Sequence, residues 1–70
     1  MPNAATTEAI NAAVLEAMRA QAVSQRQIAE LLGINQSQVS ARLRGQSDWR
    51  TTELDAVSIF LGLTITIGAA

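Results

Sequence analysis

The stretch QRQIAELLGINQSQVSARLRG, residues 25–45, decides how this chain folds. It reads as two short helices on either side of a tight turn. Ser24 is placed to cap the first, and Gln27 three residues on can close a capping box. Val23 before the cap and Ile28 after it stand where a hydrophobic staple forms. Ile28, Leu31 and Leu32 are expected on one face at helical spacing. Gly33 follows where a helix ends in a left-handed residue, a conformation glycine adopts without a Cβ clash. The signals then repeat: Asn35 caps, Gln38 sits three on, and Ile34 and Val39 form the second staple. Val39 and Leu43 give the second helix its buried side, and Gly45 ends it.

Two capped helices sharing so short a turn cannot lie antiparallel. They must cross steeply, which calls for a small residue at the contact, and Ala29 meets that need. This is the helix-turn-helix arrangement, in which the N-terminal residues of the second helix can enter the DNA major groove.

The run Gln25, Ala29, Gly33, Gln36, Ser37, Val39 and Gly45 resembles the helix-turn-helix of the lambda repressor and Cro family of phage regulators. The ending VSARLRG, followed by Trp49 and Glu53-Leu54, is similar to small actinobacterial and actinophage members of that family. The likeness covers roughly residues 7–63. It implies a mainly all-α fold, a lambda-repressor-like bundle of four helices, here with a short C-terminal β-strand added. It also implies a sequence-specific double-stranded DNA-binding transcriptional regulator of the Cro or immunity-repressor kind. Such a regulator binds a palindromic operator as a homodimer, in the cytoplasm of a bacterial host and at its nucleoid.

The residue chemistry suits that role. Gln36 and Ser37 occupy the first turn of the second helix. A glutamine amide offers a donor and an acceptor side by side, matching N6 and N7 of adenine, and the resemblance points to Gln36 for that contact. Ser37 can meet a neighbouring base edge. Ser40 and Ala41, one turn on, face the same way, and the Ala41 methyl could meet a thymine methyl. The resemblance also implies that Gln25 hydrogen-bonds a phosphate and braces Gln36. Asn35 caps and can touch a phosphate. Arg26, Arg42 and Arg44 are candidate phosphate clamps, which set affinity and register without reading sequence. Arg42 departs from the family pattern, since many members carry an apolar residue there; it could instead reach a guanine.

Composition narrows the alternatives. Seventy residues make one domain near the lower limit for an unstapled core. With no cysteine, histidine or lysine, neither disulfides nor thiolate metal sites can form. The remaining Ser, Thr, Asp and Glu form no nucleophile-plus-base or paired-carboxylate constellation, so no enzyme, metal or cofactor is expected. No apolar run could span a bilayer, no signal peptide is evident, and no small-molecule ligand is expected. The formal net charge of −1 is unfavourable for a nucleic-acid binder, but its distribution is uneven. Residues 24–50 hold Arg26, Arg42, Arg44 and Arg50 against Glu30 and Asp48, a net +2. Residues 1–23 carry a net −1 and residues 51–70 a net −2.

The flanking segments read as scaffold. Residues 1–5 have no periodicity and read as a flexible tail; some family members use such an arm on DNA, but this one lacks a basic side chain. Residues 6–62 form the expected domain, with the helix-turn-helix at 24–45. Thr6 or Thr7 can cap the first helix, with Glu8 favourably near its positive end. Ile10, Val14, Leu15, Ala17 and Met18 form its apolar stripe, with Glu16 and Arg19 facing solvent. After the second reading helix, Trp49 could stack on a base or, more simply, plug the core beside Leu43 and Leu54. Thr51 or Thr52 begins the last helix, whose expected inner face is Leu54, Val57, Phe60 and Leu61. Gly62 caps it, and Leu63 can fold back on the preceding turn.

The period then changes. Leu63, Thr64, Ile65, Thr66 and Ile67 alternate apolar and polar, the signature of a strand. A lone strand leaves its backbone unpaired. Pairing with a second copy would resolve that, making these residues or the last helix the dimer contact; alternatively the strand lies on its own domain. A competing role uses the same fold without DNA: a protein-interaction module, such as an antitoxin or a partner that sequesters a repressor.

Overall fold

The computed structural model describes residues 7–63. Four helices follow in order: α1 Thr7–Gln21, α2 Gln25–Leu32, α3 Gln36–Leu43 and α4 Thr51–Leu61. No strand occurs among the described residues. The strand expected from residue 63 falls on residues 64–67, outside them; Leu63 itself is described and is not in a strand.

Local chemistry accounts for the ends. Ser24 Oγ accepts from the Gln27 N–H at 3.2 Å, and Gln27 Oε1 accepts from the Ser24 N–H at 2.8 Å, a complete capping box. At α3 the box is half made. Gln38 Oε1 accepts from the Asn35 N–H at 2.8 Å, while the Asn35 side chain makes no cap bond. At α4 the carboxylate of Glu53 does the same for the Arg50 N–H at 2.9 Å. Gly33 and Gly62 end α2 and α4 at φ +69° and +70°. The end of α1 differs, for Ala22 takes a left-handed φ of +56°. The Val23 N–H then donates to Met18 O at 2.8 Å, the turn-back bond that usually accompanies a glycine at this place.

The core is Ile10, Val14, Ala17 and Met18 from α1, Ile28 and Ala29 from α2, Val39 and Leu43 from α3, and Leu54, Val57 and Leu61 from α4. Ile28, Val14, Val39 and Val57 are wholly buried, each contributing on the order of 1.5–3 kcal/mol. Val23, Leu32, Ile34, Trp49 and Leu63 pack around this centre. Val23 and Ile34, the outer members of the two expected staples, thus pack on the core that holds Ile28 and Val39, and Leu63 folds back with its N–H donating to Ser58 O at 2.7 Å. Leu63 is half-buried against its own core, and the other residues of the expected dimer contact, 64–67, lie outside the described residues.

Three expected core residues lie outside. Leu15, Leu31 and Phe60 are 40%, 41% and 45% exposed. At about 100° per residue, each sits roughly 75–110° from the centre of the buried face of its helix. A narrow domain encloses only the middle of that face, so the flanks stay wet. Ile59, on the opposite side of α4 from the core, is 81% exposed.

Candidate nucleic-acid interface

α3 is an eight-residue helix, QSQVSARL, held by Val39 and Leu43 on its buried side. Gln36 and Ser37 occupy its first turn and are exposed, as is the cap residue Asn35. Ser40 and Ala41, one turn further, are half-buried. Arg44, just past the helix, is exposed, and its Nη2 donates to Gln46 Oε1 at 3.3 Å. On α2, Arg26 is exposed and Gln25 is half-buried at the first position. The polar tip of α3 and two arginines are thus open to a ligand. Gln38 is exposed too, but its side-chain oxygen is engaged in the half box at the start of the helix.

Arg42 is the correction. It was expected on a phosphate or a guanine, but it is buried, 8% exposed, and its charge is answered inside the domain. Its Nε donates to Glu53 Oε1 at 2.7 Å and its Nη2 to Glu53 Oε2 at 3.1 Å, a bidentate pair. Its Nη1 donates to Gln38 O at 3.2 Å. With Arg42 internal, the helix-turn-helix presents Arg26, Arg44 and Arg50 against Glu30 and Asp48. That is a smaller basic surplus than the sequence suggested.

Two further residues complete this buried group. Asn11 of α1 is 6% exposed, and its Nδ2 donates to the carbonyl of Arg42 at 2.9 Å. Its Oδ1 accepts from the indole N–H of Trp49 at 2.6 Å. An indole only donates and a carbonyl only accepts, so the two contacts together set the orientation of the amide. Trp49 is thereby half-buried against the core with its polar edge satisfied, in agreement with the plug reading. No buried side-chain nitrogen or oxygen among the described residues lacks a partner.

Burial alone would raise the Glu53 carboxyl. The backbone N–H of Arg50, the guanidinium of Arg42 by hydrogen bond and by charge, and the charge of Arg50 all lower it and together outweigh burial. The net effect holds Glu53 below its ordinary value of 4.5, so it stays ionised at neutral pH.

Sequence reasoning did not single out Asn11 or Glu53 as partners. A signal existed. Asn11 interrupts an apolar stripe, and Arg42 and Glu53 stand beside Leu43 and Leu54 on inward faces with opposite charge. Each is a polar residue in the buried phase of its helix, which is costly unless it is paired.

Two short helices joined by a tight turn at a left-handed Gly33, with an exposed polar tip on the second, define a helix-turn-helix DNA-binding domain. Comparison with known families agrees: a family model described as Helix-turn-helix matches residues 14–67. The chain belongs to that family, the XRE-type proteins that resemble Cro and lambda repressor, and is a DNA-binding regulator of that type. No curated protein and no solved structure matches it significantly. The family is a regulatory and not an enzymatic one, and no group of three or more Asp or Glu side chains among the described residues could hold a metal. No helix among the described residues is long and apolar enough to cross a membrane.

Proposed function

We propose that the protein is a sequence-specific transcriptional regulator of the phage Cro or immunity-repressor kind. It binds a palindromic operator as a homodimer, one α3 in the major groove of each half-site. The supporting observation is the exposure of Gln36 and Ser37 on the first turn of a helix whose other side is buried. Gln36 pairs with an adenine edge, Ser37 with its neighbour, and Ser40 and Ala41 meet the next base pair. Gln25, Arg26, Asn35 and Arg44 hold phosphates and set the register. One short helix reads few base pairs, and a small basic surplus binds weakly alone, so a two-fold pair on half-sites about 34 Å apart supplies the missing affinity. The exposed Ile59 and Phe60 on α4, continued by the alternating residues 64–67, are the proposed contact between copies.

The test is selection of duplexes from a random library by the full chain, with sedimentation of the free protein. A two-fold symmetric consensus and a dimer that becomes monomeric when residues 64–70 are removed are the expected results. A protein that enriches no sequence at low ionic strength would favour the interaction-module role instead.

A further inference from the structure

The buried group around Arg42 lies at the junction between the reading helix and the rest of the domain. The Cα atoms of α3 approach those of α1 and α2 within 8 Å, but none comes that close to a Cα of α4. The bidentate Arg42–Glu53 pair spans that wider gap, with both side chains at 10% exposure. From the other direction, the Asn11 amide holds the main chain of the same residue, and Trp49 holds Asn11. Arg42 is therefore fastened at its carbonyl to α1 and at its guanidinium to α4.

The apolar anchors of α3 cannot do this alone. Val39 and Leu43 are its two buried hydrophobic residues. Hydrophobic contact is non-directional and tolerates a small roll or slide of an eight-residue helix. A planar guanidinium facing a carboxylate through two parallel bonds, and an amide fixed at both ends, do not tolerate it. Gln36 and Ser37 lie about one and a half turns before Arg42, so a roll at Arg42 is carried directly to the reading tip. A bidentate base contact is lost when the amide moves by a fraction of an ångström to an ångström, whereas contacts of mobile arginines with phosphates adapt.

We propose that Arg42, Glu53 and Asn11 are positioning residues for DNA readout: they set the angle at which α3 presents Gln36 and Ser37, and so govern discrimination between sequences more than affinity for DNA as such. This rests on the DNA-reading function proposed above. Stability alone does not demand the pair, because a buried ion pair can often be exchanged for apolar residues of similar volume without loss.

That exchange provides the test. The variants are Glu53→Gln, which removes the charge but keeps the shape, and the double change Arg42→Met with Glu53→Leu. Each is compared with the unaltered protein for thermal midpoint, and for affinity towards the duplex the unaltered protein selects and towards a random-sequence duplex, over a series of salt concentrations. The double variant is expected to melt at or above the unaltered protein. Its ratio of specific to random affinity should fall tenfold or more, with the affinity for random duplex and the salt dependence unchanged. A double variant that keeps the full ratio overturns the proposal. So does a salt slope shallower by about one ion, which would mean that Arg42 touches phosphate directly. If a variant does not fold, amide chemical shifts of α3 in Glu53→Gln decide: shifts at Gln36 and Ser37 identical to the unaltered protein, with lowered discrimination, would also overturn it. Failure of the unaltered protein to prefer any duplex would instead sink the DNA-reading function, and is seen before any variant is made.

Discussion

Replacing Ala22 with glycine should stabilise the domain, although it deletes a methyl group. Ala22 ends α1 at φ +56°, where a Cβ crowds the following carbonyl at a cost of about 1–2 kcal/mol. The residue is exposed, so its methyl returns little by burial. Glycine removes the clash but loses more backbone freedom on folding, about 0.5–1 kcal/mol against alanine. The net gain is about 0.5–1 kcal/mol. For a domain of this size that raises the thermal midpoint by roughly 2–8 °C. The hydrogen bond from the Val23 N–H to Met18 O is retained, so the geometry of the turn into α2 is unchanged. Far-ultraviolet circular dichroism during heating reads the effect. The reverse change, Gly33→Ala, is the control. Gly33 has φ +69° and an added Cβ would meet nothing within 4 Å, so only the backbone penalty applies, about 1 kcal/mol of destabilisation. A midpoint for Ala22→Gly equal to or below that of the unaltered protein, with Gly33→Ala lowered, would show that the left-handed end of α1 is not strained as argued.

Gln36→Ala should cost about 1–3 kcal/mol at one base-pair position and relax preference there; a repeated duplex selection reads this, and an unchanged consensus would remove Gln36 from the base edge. Arg44→Ala should weaken binding to every duplex alike and reduce the salt slope by about 0.9, as measured by titration at several ionic strengths; a loss confined to one base would contradict a phosphate role. Acid should destabilise the domain through Glu53. Its folded pKa lies below its unfolded one, so its contribution is fully present above the unfolded value near 4.5 and is lost as pH falls through the lower folded value. Denaturant titrations at stepped pH should show that loss, and show less of it in Glu53→Gln; equal acid sensitivity in both proteins would assign the effect to other carboxylates.

The helices and their ends were legible because their causes are local. A capping box closes over three residues, as Ser24 and Gln27 do. A left-handed glycine is a property of one residue and the turn before it, as at Gly33 and Gly62. The exposed tip of α3 was legible only in part: Ser37 lies on the far side from Val39 and Leu43, whereas Gln36 lies within about 40° of their phase and is exposed at the first position of the helix. The left-handed Ala22 was not legible, because alanine carries no signal for that conformation; the packing of Val23 and Met18 on either side of it imposes the turn. Nor could periodicity tell which flanking residues the domain would cover, and Leu15, Leu31 and Phe60 stayed outside.

The sequence by itself determined four helices, their boundaries to within a residue or two, and the polar surface of α3. Tertiary structure alone decided the fate of Arg42. A lone arginine between Val39 and Leu43 reads as a phosphate clamp until Glu53, 11 residues on, and Asn11, 31 residues back, are brought to its two ends. The reason is energetic: the same guanidinium is stable in water or in the interior, and only the presence of a correctly oriented carboxylate at 2.7 Å makes the interior accessible to it. No pattern within one helix records whether that partner will arrive.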